Sequence, residues 1–152
     1  MQKISTCLWF DGRAAEAAEF YTSTFDDSSI LTSMPGPGGQ VLTVDFEIEG
    51  RQFMALNGGP AFTFNEAVSL VVNCDSQDEV DRYWNALLEG GGEESQCGWL
   101  KDKFGLSWQI VPAGMPGLLN GPDPAGSQRA MEAMLKMRKL DINILQKAYD
   151  GD

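Results

Sequence analysis

Few side chains in this chain could do chemistry, and histidine is missing altogether. General acid–base work would fall to Asp, Glu, Lys, Tyr or Cys. Cys7, Cys74 and Cys97 form no Cys-x-x-Cys pair, and each lies in or beside an apolar, strand-like segment. They read as small buried thiols of a reducing compartment. A reactive thiol would need a neighbouring base, and no histidine is there to serve. Asp45, Glu47 and Glu49 make an alternating carboxylate ladder. Without neutral oxygen ligands beside it, the ladder reads as a face turned to water rather than a cation site. Lys101 and Asp102 fall at the tip of a predicted hairpin and read as a solvated turn. Spacing alone assembles no nucleophile–base pair.

One pair of positions stands apart. The chain repeats itself, and aligning Gly50 with Gly105 sets Phe53 against Trp108, Met54 against Gln109 and Ala55 against Ile110. Met54 and Gln109 therefore occupy equivalent places, where a site shared between repeats would be sought. Aromatic and amide side chains add a candidate cavity lining: Trp9, Met54, Asn57, Phe62, Phe64, Trp99, Trp108 and Gln109. Ligand pockets are mostly apolar with a few placed polar groups, and this set has that character. Core packing is the competing use of each aromatic. Trp99 and Trp108 in particular read as a cross-strand structural pair. Gln109 and Asn57 are the stronger candidates, because an inward polar group needs a partner.

The elements that must position these residues follow from periodicity. Ile4 to Phe10 predicts a buried strand, and Asp11 is placed to cap a helix whose face holds Ala14, Ala17, Ala18, Tyr21 and Phe25. Ser28 to Met34 is a strand ending in the turn Pro35 to Gly39. Leu42, Val44, Phe46 and Ile48 alternate with acids, the pattern of a strand with one dry face. Gly50 turns the chain into the strand Gln52 to Asn57. The loop from Asn57 to Ala67 carries Phe62 and Phe64, which an exposed linker would not hold. They plug the core or cover a pocket mouth.

Val68 to Cys74 begins the second copy. Asp75 or Ser76 caps a helix with Val80, Tyr83, Trp84, Leu87 and Leu88 at i, i+3, i+4, i+7, i+8 spacing. Gly90 to Gly92 ends it. Glu93 to Ser95 reads as a short edge strand, and Gly98 to Lys101 with Ser107 to Val111 as a hairpin. After a Gly- and Pro-rich connection, Asp123-Pro124 starts a tail helix. Ala130, Met134 and Met137 line one side of it. Asp141 caps a last helix with Ile142, Leu145 and Ala148. This tail lies outside the repeat and needs a surface to cover, on its own sheet or on a partner subunit.

The whole of residues 1–152 is expected to form a single α+β domain. Module one spans about 1–60, module two about 67–112 and the helical tail about 113–152. A formal charge of −11 argues against nucleic acid as a partner. No apolar run spans a membrane, and the N-terminus lacks a signal-peptide pattern, so no membrane association and a cytoplasmic location are expected.

Leu8-Trp-Phe-Asp-Gly-Arg-Ala-Ala-Glu-Ala-Ala-Glu-Phe-Tyr21 resembles the first strand and helix of the vicinal oxygen chelate superfamily. That superfamily includes glyoxalase I, bleomycin-resistance proteins and extradiol dioxygenases. Ser69-Leu-Val-Val-Asn-Cys-Asp75, Cys97 to Pro112 and Lys139-Leu-Asp-Ile142 extend the resemblance over nearly the whole chain. It is nearest to the PhnB-like branch, the group also described as 3-demethylubiquinone-9 3-methyltransferase-like.

The resemblance implies paired βαβββ modules around a cavity, in a homodimer. Metal-using members hold a divalent ion with His and Glu. Here those places fall near Ile4 to Thr6, near Val68 to Leu70, and at Gln109 and Met54. None offers a good ligand for a hard ion. No metal and no cofactor are therefore expected. No Gly-rich turn of the kind that binds S-adenosylmethionine follows the first strand. The resulting expectation is a metal-independent protein that binds a small molecule not yet identified. An enzyme with a non-standard site and a structural homodimer are the alternatives.

Overall fold

The computed structural model describes residues 2–152. It consists of two compact units, one ending at Phe64 and one beginning at Asn65. In the first, β1 (Thr6–Phe10), α1 (Ala14–Thr24), β2 (Ser28–Pro35), β3 (Val41–Ile48) and β4 (Arg51–Asn57) make a sheet of order β1-β4-β3-β2. In the second, β5 (Ser69–Cys74), α2 (Gln77–Leu88), β6 (Glu93–Glu94), β7 (Trp99–Lys101) and β8 (Ser107–Pro112) make a sheet of order β5-β8-β7-β6. The two orders are the same. Each first strand runs parallel to its module's last strand, and the other pairs are antiparallel. The predicted pair of βαβββ modules is thus present.

Each helix covers one face of its own sheet. Ala14, Ala17, Ala18 and Tyr21 of α1 are buried. Tyr21 stacks on Phe46, and Phe46 on Phe53, with ring centroids 6.1 and 5.3 Å apart. Small residues on α1 let the helix lie close to these aromatics. In the second unit Val80, Tyr83, Trp84 and Leu87 of α2 are buried, as are Leu100, Trp108 and Ile110 of the sheet and Leu106 of the β7–β8 connection. Clusters of this size supply the main stabilisation of each unit, about 1.5–3 kcal/mol for each large apolar side chain removed from water.

The helix starts differ between modules. Ser76 caps α2, its side chain accepting from the Glu79 amide at 3.2 Å. Glu79 Oε1 accepts in return from the Asp75 amide. Asp11 does not cap α1. That helix begins at Ala14 after Arg13, with no side-chain cap from the flanking residue. Asn57, at the end of β4, takes the role instead: its Oδ1 accepts from the Ala14 amide at 2.9 Å and its Nδ2 donates to the Val41 carbonyl at 3.0 Å.

The hairpins differ as well. Between β3 and β4, Glu49 (φ 50°) and Gly50 (φ 78°) form a two-residue turn with both residues left-handed, as hairpin twist favours. Glu49 therefore belongs to the turn and not to the carboxylate ladder. Between β7 and β8 the chain takes a longer route past Asp102.

The Gly- and Pro-rich connection holds a short helix, α3 (Met115–Leu119), before α4 (Pro124–Leu135) and α5 (Ile142–Asp150). The tail packs within its own unit. Val111, Met115, Leu118, Ala130, Leu140 and Leu145 form one buried cluster, with Met134 and Met137 against it. Gly98 shows how tight this docking is. At φ +85° a Cβ there would lie 2.7 Å from Leu140 Cδ1. Gln77 ties the tail to α2, donating to the Leu140 carbonyl at 2.9 Å and accepting from the Ile142 amide at 3.0 Å. Asp141 caps α5 as its position predicts, accepting from the Asn143 and Ile144 amides. No helix among the described residues is long and apolar enough to cross a membrane.

Candidate functional site

Strand alternation sorts the side chains, because one face of each sheet is spent on its helix. The other, open face of the second sheet carries two rows. Ser69, Ser107, Lys101 and Glu93 are register partners across all four strands. Val71, Gln109 and Trp99 are partners across β5, β8 and β7. A cavity of about 280 Å³ lies at the short β6–β7 edge of this sheet, lined from the open face by Glu93, Trp99, Lys101 and Ser107, from the other face by Glu94 and Leu100, and by Glu66 and Ser95 beside them.

Ser107 is the unusual member. It is only 1% exposed, and its Oγ is the one buried side-chain oxygen or nitrogen among the described residues with no hydrogen-bond partner. Burying a hydroxyl without a partner costs about 1–3 kcal/mol. Its neighbours are already engaged: Gln109 Nε2 donates to Ser69 Oγ at 2.9 Å, and the Lys101 ammonium pairs with the Glu66 carboxylate. That pair holds the Glu66 carboxyl below its ordinary range and the Lys101 ammonium above its own. The Glu66 contribution is thus in place above the ordinary carboxylate range and lost as pH falls through the depressed value. Glu66 also ends the loop that precedes β5, so the pair pins the loop beside the cavity.

Of the eight residues singled out from sequence, Trp99 and Gln109 are brought together on this face, as direct cross-strand partners. Trp108 is not with them. Leu100 is its register partner, so Trp99 and Trp108 point to opposite faces and form no cross-strand pair. Trp108 is buried, and its Nε1 donates to Asp102 Oδ2 at 2.9 Å. Asp102 is no solvated turn residue either. It is 3% exposed and its Oδ1 also accepts from the Phe104 and Leu106 amides at 2.9 and 3.1 Å. One carboxylate organises the whole β7–β8 connection, a role the hairpin pattern conceals.

The first module spends its candidates on structure. Asn57 holds the start of α1, as described. Trp9 Nε1 donates to the Gly59 carbonyl at 2.8 Å, and its ring leaves Gly58 no room, since a Cβ there would come within 2.4 Å. Phe62 meets Trp9 edge-on at 4.9 Å and Phe64 meets Phe10 edge-on at 5.4 Å. Phe62 is nonetheless 64% exposed, so it lies over Trp9 rather than filling the core. Met54 is half-buried on the open face, with Cys7 and Asp45 as its register partners. Asp45 in turn accepts from Thr32 Oγ1 at 3.1 Å.

These positions test the metal that the fold family implies. Met54 and Gln109 occupy the same place in their modules, on the face away from the helix. Around Met54 stand a thiol and a carboxylate already bonded to Thr32. Around Gln109 stand Val71, Trp99 and a serine already bonded to it. Cys7 is exposed, not the buried thiol its strand predicts, yet desolvation by its neighbours still pushes the thiol up, away from the thiolate that a metal needs. Among the described residues, no three His, Cys, Asp or Glu side chains converge as a metal site. The donor set does not fit a hard divalent ion. Cys74 is buried, and desolvation, reinforced by Glu79 and Asp75, pushes its thiol up to about 11. It is an inert core thiol at neutral pH.

The fold is the paired βαβββ architecture of the glyoxalase, bleomycin-resistance and dioxygenase class. A family model described as 3-demethylubiquinone-9 3-methyltransferase matches residues 2–111. The PhnB protein from Bacillus cereus is 35% identical, with a TM-score of 0.68 over 74% of this chain and 100% of its own. The chain belongs to this PhnB-like family. Two more distant structures share the fold. Protein PA1353 from Pseudomonas aeruginosa is 22% identical, with a TM-score of 0.59 over 74% of this chain and 98% of its own. The fosfomycin resistance protein FosX from Listeria monocytogenes, solved with Mn(II) and sulfate, is 12% identical, with a TM-score of 0.52 over 74% of this chain and 91% of its own. No curated protein matches the chain.

Proposed function

We propose that this protein binds a small molecule without a divalent metal, on the open face of its second sheet. The observation that carries the reading is the Ser107 hydroxyl, buried and unpartnered beside a cavity of about 280 Å³. A buried polar group left without a partner is a destabilising feature that a bound ligand would relieve. The donor set at Met54 and Gln109 supports the absence of metal chemistry, and FosX's Mn(II) belongs to FosX. The cavity volume is that of about nine waters, so the ligand is small.

The family description favours a second reading, methyl transfer. Against it stands the local architecture: β1 is followed by Asp11-Gly-Arg13, and both sheets are mixed four-stranded sheets rather than a doubly wound parallel one. The two readings separate in a thermal-shift experiment on chelator-treated protein. No stabilisation by Ni²⁺, Zn²⁺ or S-adenosylmethionine is expected. A shift with either metal that disappears in Gln109→Ala would overturn the metal-free reading. A shift with S-adenosylmethionine would overturn the expectation and favour the methyltransferase one.

A homodimer completes the proposal. Ile30, Leu31 and Met34 lie exposed on β2, the edge strand of the first sheet, and exposed apolar edges are surfaces that partners cover. Sedimentation equilibrium should give twice the chain mass; the mass of one chain would remove the dimer.

A further inference from the structure

Building on the proposed binding function, we infer that the cavity on the second sheet takes a small organic cation, an ammonium compound with a compact apolar body. Three features of the cavity set this class. The lining holds three carboxylates, Glu66, Glu93 and Glu94, against one ammonium, Lys101. Lys101 is already committed to Glu66. Glu94 is partly committed, accepting from Trp84 Nε1 at 3.1 Å and lying 3.6 Å from Arg138 Nη1. Glu93, cross-strand from Lys101 at the sheet edge, feels that ammonium only as a weak attraction beside Glu66's, and is left as the carboxylate facing the cavity. An anion would meet this charge and the chain's overall −11 unfavourably.

The second feature is Trp99, whose indole lies on the same face. Aromatic faces attract ammonium groups, and the flat ring gives an apolar body a surface to lie on. The third is the Ser107 hydroxyl, which has hydrogen-bonding capacity and no protein group using it. A ligand entering beside Trp99 would place its ammonium toward Glu93, and a donor such as an N–H toward Ser107 Oγ. The carboxylates alone would be an acidic surface like any other. The buried, unpartnered Ser107 marks this one as a place for a ligand.

The test uses three molecules of matched size: phenethylamine, 2-phenylethanol and phenylacetate. Isothermal titration calorimetry is run on the full, chelator-treated chain and on Glu93→Gln and Ser107→Ala variants. Phenethylamine should bind at least ~10-fold tighter than the alcohol, equivalent to about 1.4 kcal/mol. Phenylacetate should bind weakest. Glu93→Gln should narrow the gap between amine and alcohol, and Ser107→Ala should weaken the amine while leaving the fold intact. If the alcohol or the acid binds as tightly as the amine, the cation class falls and the binding function stands. If none of the three binds at ~1 mM, the cation class likewise falls. A thermal-shift screen of wider chemistry then judges the binding function separately.

Discussion

The two modules have one topology and two uses of it. Gln52 and Ser107 occupy equivalent positions, each two residues after the glycine of its hairpin. In the first module Gln52 is satisfied: its amide donates to Gln2 Oε1 at 3.3 Å and its own Oε1 accepts from the Gln2 amide at 3.2 Å. In the second module Ser107 is buried and satisfied by nothing. Strand lengths differ in the same sense. β2 and β3 have eight residues each, whereas their counterparts β6 and β7 have two and three. The cavity lies where the second sheet is cut short. The strand order is the same in both modules, and the cavity beside Ser107 lies in the second.

The largest expected effect tests how the shortened hairpin is held. Asp102→Ala strands the Trp108 indole N–H and two backbone amides in a buried place, and should cost about 3 kcal/mol in urea unfolding. Glu49→Asn, in the corresponding turn of the first module, should change stability by less than about 0.5 kcal/mol, because asparagine suits a left-handed position. Similar losses from the two variants would mean that the hairpins are held alike. A smaller contrast lies at the helix starts. Asn57→Ala removes two hydrogen bonds that join distant segments and should cost about 2 kcal/mol. Ser76→Ala removes a local cap and should cost about 1 kcal/mol. The reverse order would contradict the assignment of Asn57 as the latch of α1.

The smallest effect is the most diagnostic. Ser107→Ala should leave the melting temperature of the ligand-free protein unchanged or raise it, because it deletes an unsatisfied hydroxyl. A loss of more than about 1 kcal/mol would show that the hydroxyl has a structural partner in solution.

The repeat, the helix faces and most strands could be read from the sequence because each is set by a period of 2 or 3.6 over a few neighbouring residues. Asp141 and Ser76 were readable for the same reason, since a cap acts within one turn. The Asp11 cap fails and Asn57 takes its place because the amide Asn57 holds lies 43 residues away, and no local pattern announces such a bond. Trp99 and Trp108 were paired by proximity in a predicted hairpin, and the true register moved each by one position, which turns a side chain to the other face. Of the cavity's lining, Trp99 was among the residues singled out from sequence. Ser107 was not, although it lies two residues from Gln109 and so shares its face. Glu66 and Lys101 could not be joined from sequence, because a loop and a strand meet there only through the fold.

On the proposed function, the second sheet's open face recognises a small molecule without metal. The most direct test is a ¹H–¹⁵N NMR titration of chelator-treated protein with whichever of the three matched compounds binds tightest. The account predicts amide shifts concentrated at Ser69, Trp99, Lys101 and Ser107, with Cys7 and Met54 unmoved. Shifts centred on Cys7 and Met54, or shifts that arise only after Zn²⁺ is added, would contradict it.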